Sequence, residues 1–402
     1  MRPGDALAGL AVPGETFGPD KLEAHEGINV TLRQGLHGVV VRRLHFGRVQ
    51  QVRKLCRADA AVQGNAFVDF TAPQGLLGAQ QLVHRKYGGL VVAKAGGVID
   101  VVGRGRGEGD GSFRTSLTSL NGGKSQTTWD VWFDRQPGRF HQGVGPANTS
   151  TFYQHWKQDI ALLKQLKHNS FRTSLSWSRL IPDGTGDVNP EAIEFYNNVI
   201  DELLAQGITP FITLFHFDMP MAMQEKGGWE SREVVEAFGR YAQTCFTLFG
   251  NRVKHWFTFN EPIVPVEGGY LYDFHYPNVV DFKRAATVAY HTVLAHSTAV
   301  RAYRAGNYGG EIGVILNLTP SYPRSQHPAD VKAARHADLL FNRSFLDPVL
   351  LGEYPADLVA LLKEYDQLPA CHLGDKELIA AGKIDLLGIN YYQPRRVKCR
   401  DS

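Results

Sequence analysis

From Trp129 onward, apolar runs of strand length alternate with amphipathic segments of helical length. Buried strands that are separated by helices must pair in parallel through right-handed crossovers. The alternation therefore predicts an α/β fold built on a parallel sheet. No other feature of the sequence restricts the possible architectures as strongly.

Five runs have the composition of buried strands. They cover residues 171–177, 210–216, 255–262, 312–317 and 384–392. Polar side chains collect at their carboxyl ends, namely His216, Asn260, Glu261, Asn317, Asn390 and Tyr392. Since active sites of (β/α)8 barrels lie at that face, we expect part of such a barrel. A doubly wound sheet is the alternative, but no GxGxxG motif follows an early strand.

Four helices are predicted between these strands, at about residues 152–163, 189–207, 231–250 and 283–305. The second has the clearest start signal, because Asn189 is a favoured N-cap residue and Pro190 suits the first helical position. Gly207 is expected to end it.

The first 120 residues differ from the rest in composition. They hold 20 of the 42 glycines, no tryptophan and one tyrosine, with 15 basic and 10 acidic residues. Short runs at 38–41 and 89–92 could be strands, whereas the glycine-rich run 103–111 is typical of a loop or linker. We therefore divide the chain into an unassigned basic segment, 1–120, and an α/β part, 121–402.

Three interpretations of residues 1–120 stay open. They could be a small basic β-rich domain, a disordered extension, or translated sequence that was never selected to fold. The glycine content, the missing tryptophan and the abrupt border favour the last.

The sequence does not indicate a nucleic-acid partner, a membrane span or a secretion signal. A net charge of +3 is too small to suggest a nucleic-acid partner, and the basic C-terminal residues lack interleaved aromatics. No run approaches the ~18 apolar residues of a membrane span, and no signal-peptide core follows Met1. We expect a cytoplasmic protein without a membrane partner. The four cysteines form no CxxC pair, so we expect reduced thiols.

Glu261 is the leading candidate for chemistry, because it ends a strand of apolar and aromatic residues. Beside Trp256, Phe257 and Phe259 its carboxyl would be partly desolvated, and burial disfavours the charged form of a carboxyl group. Glycoside hydrolysis needs such a protonated carboxyl as its general acid. The alternative is an exposed glutamate that merely ends the sheet, and spacing alone does not separate the two.

Four segments then stand in order along residues 121–402. They read FRTSLSWSR (171–179), LFHFDMP (214–220), TFNEP (258–262) and LGINYY (387–392). Together they resemble the ordered motifs of glycoside hydrolase family 1, the retaining β-glucosidases and 6-phospho-β-glucosidases. The resemblance implies that residues 121–402 form an incomplete (β/α)8 barrel, with approximately strands 2–6.

The resemblance also implies roles for individual residues. Glu261 would be the catalytic acid and base. Four residues would bind the sugar, with Asn260 on its 2-hydroxyl: His216, Asn260, Asn317 and Asn390. Arg172 and Tyr392 would orient the nucleophilic carboxylate. Asp218, two residues after His216, suggests a metal pair, but members of the family need no metal and no cofactor.

The resemblance ends before the nucleophile. In the family this glutamate lies in a Thr-Glu-Asn-Gly motif after the seventh strand, and that motif occurs nowhere in these 402 residues. The Gln-x-Glu-Gly motif expected before Gly122 is also missing. We therefore expect an inactive fragment of a glycosidase, whose open barrel leaves two strand edges without partners.

The expected partner is a small β-glycoside. The segments 219–223 and 266–272 look more like the bacterial 6-phospho-β-glucosidases than the plant β-glucosidases, so the substrate is expected to be a 6-phospho-β-glucoside. A sugar-binding relative without catalytic activity is the alternative.

Overall fold

The structure, a computed structural model, describes residues 38–43, 91–92, 122–147 and 151–400. Of the predicted segment 1–120 it thus covers two short strands, and the division of the chain at residue 120 stays a prediction.

A seven-stranded sheet forms the centre of the fold, with the strand order β2-β1-β8-β6-β5-β4-β3. A separate parallel pair is made by β7 and β9. The strands are β1 (Gly38–Arg43), β2 (Val91–Val92), β3 (Ser170–Ser174), β4 (Thr209–Phe215), β5 (His255–Asn260), β6 (Glu311–Asn317), β7 (Ser321–Pro323), β8 (Leu386–Tyr391) and β9 (Arg395–Val397).

Twelve α-helices are described. They are α1 (Thr128–Arg135), α2 (Phe152–Gln165), α3 (Trp177–Leu180), α4 (Pro190–Ala205), α5 (Met221–Glu225), α6 (Arg232–Phe249), α7 (Ile263–Tyr270), α8 (Phe282–Ala305), α9 (Pro328–Asp338), α10 (Ser344–Leu351), α11 (Ala356–Glu364) and α12 (Asp375–Ala381). Three 3-10 turns, Pro137–Arg139, His141–Gly143 and Gly228–Glu230, and a π-helical turn, Leu339–Arg343, complete the helical structure.

The predicted α/β layout is confirmed. All five expected strands are present as β3, β4, β5, β6 and β8, and each pairs in parallel with the next. The four expected helices correspond to α2, α4, α6 and α8. As predicted, the Asn189 side chain caps α4 by accepting a hydrogen bond from the Glu191 backbone N–H at 3.1 Å.

The sheet is a curled, partial (β/α)8 barrel whose two faces have separate cores. Helices α6 and α8 cover one face, where Phe246 packs edge-on against Trp256 of β5 at 5.1 Å. Since side chains alternate along a strand, the next residue, Phe257, faces away from these helices. There it joins a second buried cluster with Phe211, Ile315 and Leu386.

One expectation about the sheet edges was wrong. We expected the outer edge of the last parallel strand to lack a partner, but β1 pairs with β8 along its whole length, from Gly38 opposite Tyr391 to Arg43 opposite Leu386. The pairing is antiparallel, and β2 continues the sheet beyond β1. An exposed edge offers unpaired backbone groups to any extended segment, and here the short valine run at 38–43 supplies one.

Cys245 and Cys371 are free thiols and Cys399 forms no disulfide with a described residue, while Cys56 lies outside the described residues. Within the residues described, no helix is both long and apolar enough to cross a membrane.

A glycine sets the spacing between the central strands. A Cβ atom added to Gly313 of β6 would lie 1.7 Å from the Leu386 backbone oxygen of β8. Because that oxygen belongs to the backbone of a paired strand, it cannot move away without breaking the ladder.

We therefore expect Gly313→Ala to lower the free energy of unfolding by about 1–3 kcal/mol or more, as overpacked cores do. Urea unfolding followed by circular dichroism measures this. Gly138→Ala is the control, because nothing lies within 4 Å of its added Cβ, and its change should stay within about 0.5 kcal/mol. Equal effects of the two substitutions would contradict the close approach of β6 and β8.

A buried histidine joins α8 to the sheet. His296 lies with Nδ1 2.7 Å from the Thr258 hydroxyl and Nε2 2.9 Å from the Gly382 carbonyl oxygen. Burial lowers the pKa of His296 from 6.5 to about 4.

The unfolded chain binds a proton at His296 more tightly than the folded chain does. The contribution of His296 to the free energy of unfolding is therefore fully present above about pH 6.5 and falls as the pH drops toward 4. Between pH 7 and pH 5, His296 should lower the free energy of unfolding by about 2 kcal/mol. His296→Gln should remove that share of the pH dependence, as measured by urea unfolding at both pH values. An unchanged slope in the variant would show that His296 does not carry the effect.

Candidate active site

The carboxyl ends of neighbouring strands bring the predicted site residues together. Asn260 is the last residue of β5, and Glu261 follows it directly. Asn317 ends β6 and lies opposite Asn390 of β8 in the parallel register. His216 follows β4, the strand on the other side of β5. Parallel pairing thus places residues that are far apart in sequence along one rim.

Glu261 is buried, with 6% of its surface exposed, so it is not the exposed strand-end residue of the alternative interpretation. Its backbone N–H donates to the Ile315 carbonyl oxygen at 2.8 Å. The carboxyl oxygen Oε1 accepts hydrogen bonds from Asn390 Nδ2 and, at 2.5 Å, from the Tyr392 hydroxyl. Both the backbone and the side chain of Glu261 are therefore fixed by other strands of the sheet.

Asn260 is held by two donors. Its Oδ1 accepts from Arg172 Nη1 at 3.0 Å and from Asn390 Nδ2 at 3.2 Å. One amide group of Asn390 therefore connects Asn260 with Glu261. Arg172 reaches the network from β3, so the hydrogen bonds span three strands of the sheet.

Five of the seven predicted residues are thus joined in one hydrogen-bonded network: Arg172, Asn260, Glu261, Asn390 and Tyr392. His216 and Asn317 are placed by the register of the strands that flank β5. Two acceptor oxygens of this group, Asn317 Oδ1 and Asn390 Oδ1, are buried without a partner among the described residues.

Arg172 and Tyr392, which the resemblance assigns to orienting the nucleophile, both make hydrogen bonds at this rim. Arg172 donates to Asn260, and Tyr392 donates to Glu261. Their role in orienting a nucleophile stays a prediction.

Asp218 holds the turn that follows β4. Its Oδ1 accepts a hydrogen bond from the His216 backbone N–H at 3.3 Å, across Phe217, which has a φ of 70°. Burial raises the pKa of Asp218, while a hydrogen bond with Ser176 and the charge of Lys124 act in the opposite direction. The part of the chain described contains no group of three or more His, Cys, Asp or Glu residues arranged to hold a metal ion.

An aromatic wall beside this turn was missed by the sequence reasoning. Trp129 Nε1 donates to the Phe217 carbonyl oxygen at 3.0 Å, and its ring meets the His275 ring edge-on at 4.6 Å. Trp132 and Phe140 pack against the same cluster. Burial lowers the pKa of His275. The concentration of tryptophan after residue 120 was the available signal, but it did not indicate which rings would meet.

Glycoside hydrolysis uses a carboxyl group as its general acid. Glu261 places one at the barrel mouth, beside amide and hydroxyl donors. The sequence profile of glycosyl hydrolase family 1 matches residues 109–402. The chain belongs to this family.

Individual relatives agree with the assignment. The chain is 62% identical over 291 residues to the 6-phospho-beta-glucosidase GmuD of Bacillus subtilis (strain 168), covering 71% of this chain and 63% of GmuD. The aryl-phospho-beta-D-glucosidase BglC of the same organism is 37% identical, over 67% of this chain and 57% of BglC.

A solved structure shows the same fold. The family 1 β-glucosidase from Thermotoga maritima superposes with a TM-score of 0.65 at 38% identity, over 70% of this chain and 63% of that one. The chain therefore spans less than two thirds of the length of these three relatives.

Glu261 adopts a backbone conformation that favours glycine. Its φ is 47°, in the left-handed region, which costs a residue with a Cβ atom about 1–2 kcal/mol. The Ile315 hydrogen bond and the strand pairing hold it there.

We expect Glu261→Gly to be more stable than Glu261→Ala by about 1 kcal/mol, since both lose the carboxyl and only alanine keeps the strain. Glu194, exposed in the middle of α4, is the matched control: there glycine should be less stable than alanine by about 1 kcal/mol. Urea unfolding of the four variants measures both differences. The same order at both positions would contradict the left-handed conformation of Glu261.

Proposed function

We propose that the chain carries the acid/base part of a retaining β-glycosidase that hydrolyses β-glucosides, with 6-phospho-β-glucosides as the preferred substrates. The observation that carries the proposal is the buried carboxyl of Glu261 between Asn390 and Tyr392 at the rim of the barrel. The membership of family 1 supports it.

Glu261 acts as acid and then as base. It gives its proton to the glycosidic oxygen as the bond to the anomeric carbon breaks, and the resulting carboxylate later takes a proton from the attacking water. Asn260 is proposed to bind the sugar 2-hydroxyl, where a hydrogen bond strengthens as positive charge develops on the ring. His216, Asn317 and Asn390 bind further hydroxyl groups.

Retention also requires a second carboxyl group, about 5–5.5 Å from the first, to attack the anomeric carbon. Arg172 and Tyr392 are proposed to orient that carboxylate, because their donors already lie beside Asn260 and Glu261. No cofactor or metal is required by this mechanism.

The preference for a phosphorylated sugar rests on similarity. GmuD, a 6-phospho-beta-glucosidase by name, is 62% identical to this chain, against 38% for the Thermotoga maritima β-glucosidase. A cytoplasmic location fits this preference, since a phosphorylated sugar is charged and does not cross a membrane unaided.

A sugar-binding relative without catalytic activity is the second candidate. It is supported by the hydrogen bonds of Arg172 to Asn260 and of Tyr392 to Glu261, which use donors that the first candidate assigns to the nucleophile. The two candidates differ in whether the bound sugar reacts.

Azide can take the place of the nucleophilic carboxylate, so a reaction with azide tests the acid role of Glu261 by itself. Azide attacks the anomeric carbon from the face opposite the leaving group, the glycosidic bond breaks, and Glu261 passes its proton to the departing aryl oxygen. The products are an α-glycosyl azide and a phenol. We expect the purified chain to convert phenyl β-glucoside 6-phosphate in this way, and faster than phenyl β-glucoside.

Glu261→Gln should slow the phenyl substrate by about 100-fold or more but leave the 2,4-dinitrophenyl substrate nearly unaffected, because a good leaving group needs no proton. Glu353→Gln, at an exposed position, should change neither rate. Equal slowing of both substrates by Glu261→Gln would contradict the acid role. Saturable binding without any glycosyl azide would favour the sugar-binding candidate.

A further inference from the structure

A second pair of side chains joins the two segments that carry Glu261 and Tyr392. Arg395 donates from Nη2 to Glu267 Oε1 at 2.7 Å. Glu267 lies on α7, which begins two residues after Glu261, and Arg395 is the first residue of β9, three residues after Tyr392. The two segments are therefore connected twice, by the hydrogen bond from Tyr392 to Glu261 and by this ion pair.

The chain between each site residue and its neighbour in the ion pair is short and fixed. The Val264 backbone N–H donates to the Glu261 carbonyl oxygen at 2.9 Å, which attaches the first turn of α7 to Glu261. Only two residues separate Tyr392 from Arg395, and one of them is a proline, whose φ is fixed. The Arg395 N–H donates to the Pro320 carbonyl oxygen at 2.8 Å. A displacement of Arg395 would therefore be passed on to Tyr392.

The Arg395 side chain is held from two sides. Its guanidinium carbon lies 4.0 Å from the centroid of the Phe341 ring, on the π-helical turn. A planar guanidinium can stack on a ring and pair with a carboxylate at the same time. The side chain of Glu267 is 12% exposed, so its charge depends on this partner, because an unpaired buried carboxylate is costly.

Tyr392 is not held in place by burial. It is 40% exposed, although its hydroxyl lies 2.5 Å from Glu261 Oε1. An exposed side chain keeps rotamer freedom, so its position depends on where its backbone is anchored. The nearest side-chain anchor along the chain is Arg395.

The place of the Tyr392 hydroxyl matters because it selects one oxygen of Glu261. Asn390 also donates to Oε1, so two donors stand on the same carboxyl oxygen. A protonated carboxyl has a single O–H group. With Oε1 accepting two hydrogen bonds, that proton belongs on Oε2.

We propose that Arg395 is a positioning residue of the site. Its ion pair with Glu267 keeps the Tyr392 hydroxyl on Oε1 of Glu261, and the acid proton consequently stays on Oε2, from which it passes to the glycosidic oxygen. The kinetic consequence rests on the proposed function, whereas the placing of Tyr392 does not.

The placing of Tyr392 can be measured without turnover, by nuclear magnetic resonance of the full chain with tyrosine labelled with carbon-13 at Cζ. The Tyr392 resonance is assigned by its loss in Tyr392→Phe, and its chemical shift reports the hydrogen bond of the hydroxyl group. Arg395→Met and Glu267→Gln should both shift it. Arg395→Lys keeps the charge and should shift it less.

Arg396→Met is the matched control. It makes the same substitution at the next residue of β9, whose exposed side chain donates to the Arg324 carbonyl oxygen at 3.1 Å. Because Arg396 does not pair with α7, this variant should leave the Tyr392 resonance in place.

Kinetics test the effect on the acid. In the azide reaction, Arg395→Met should slow the phenyl substrate by about tenfold, since misplacing a catalytic group by a small distance can cost up to about 100-fold. The 2,4-dinitrophenyl substrate should be nearly unaffected. In the Tyr392→Phe background, Arg395→Met should have no further effect, because Arg395 acts through Tyr392. Arg396→Met should change neither rate.

A Tyr392 resonance that stays in place in Arg395→Met and Glu267→Gln, or that moves as far in Arg396→Met, would overturn the proposal. So would a slowing by Arg395→Met that is as large with Tyr392→Phe as without it, since the ion pair would then support the fold in general. If the unsubstituted chain forms no glycosyl azide, the proposed function fails, and the resonance still decides whether Arg395 places Tyr392. Glu267→Gln decides the matter if Arg395→Met does not fold.

Discussion

The parallel pairing of β5, β6 and β8 is the constraint on which the rest of the structure depends. Gly313 permits the backbones of β6 and β8 to approach, because any Cβ there would meet the Leu386 backbone oxygen. The same pairing sets Asn317 opposite Asn390 and lets the Glu261 N–H reach the Ile315 carbonyl oxygen. The geometry of the rim is therefore a consequence of strand register rather than of loop conformation.

Because strand register fixes the rim, a residue with an unfavourable backbone conformation can persist at the centre of the site. The backbone of Glu261 lies in the left-handed region and its side chain is buried. Glutamate favours neither condition. The hydrogen bonds from Asn390 and Tyr392 and the bond to Ile315 compensate within a rigid sheet. A carboxyl held in this way is positioned before any substrate arrives, which is what acid catalysis on a sugar requires.

Much of the fold was predictable from the sequence, for a physical reason. Buried parallel strands are continuous apolar runs, and the helices between them show an amphipathic period, so β3 to β6 and β8 could be recognised locally. The N-cap at Asn189 was equally local. The meeting of Asn260, Glu261 and Asn390 followed from the rule that carboxyl ends of parallel strands share one face.

Other features depend on contacts between distant segments, which local pattern does not encode. The antiparallel pairing of β1 with β8 joins residues about 350 positions apart, and a valine run does not specify its partner. The contact between Trp129 and the Phe217 carbonyl oxygen is of the same kind. So is the hydrogen bond from Tyr392 to Glu261.

The coupling between Asn260 and Asn390 tests most directly whether the strand ends meet as described. Their side chains are joined at 3.2 Å although they lie 130 residues apart. Urea unfolding of Asn260→Ala, Asn390→Ala and the double variant should give a coupling free energy of at least about 0.5 kcal/mol, as contacting residues do. Strictly additive effects would mean that the two residues do not touch, and the account of the site would then be wrong.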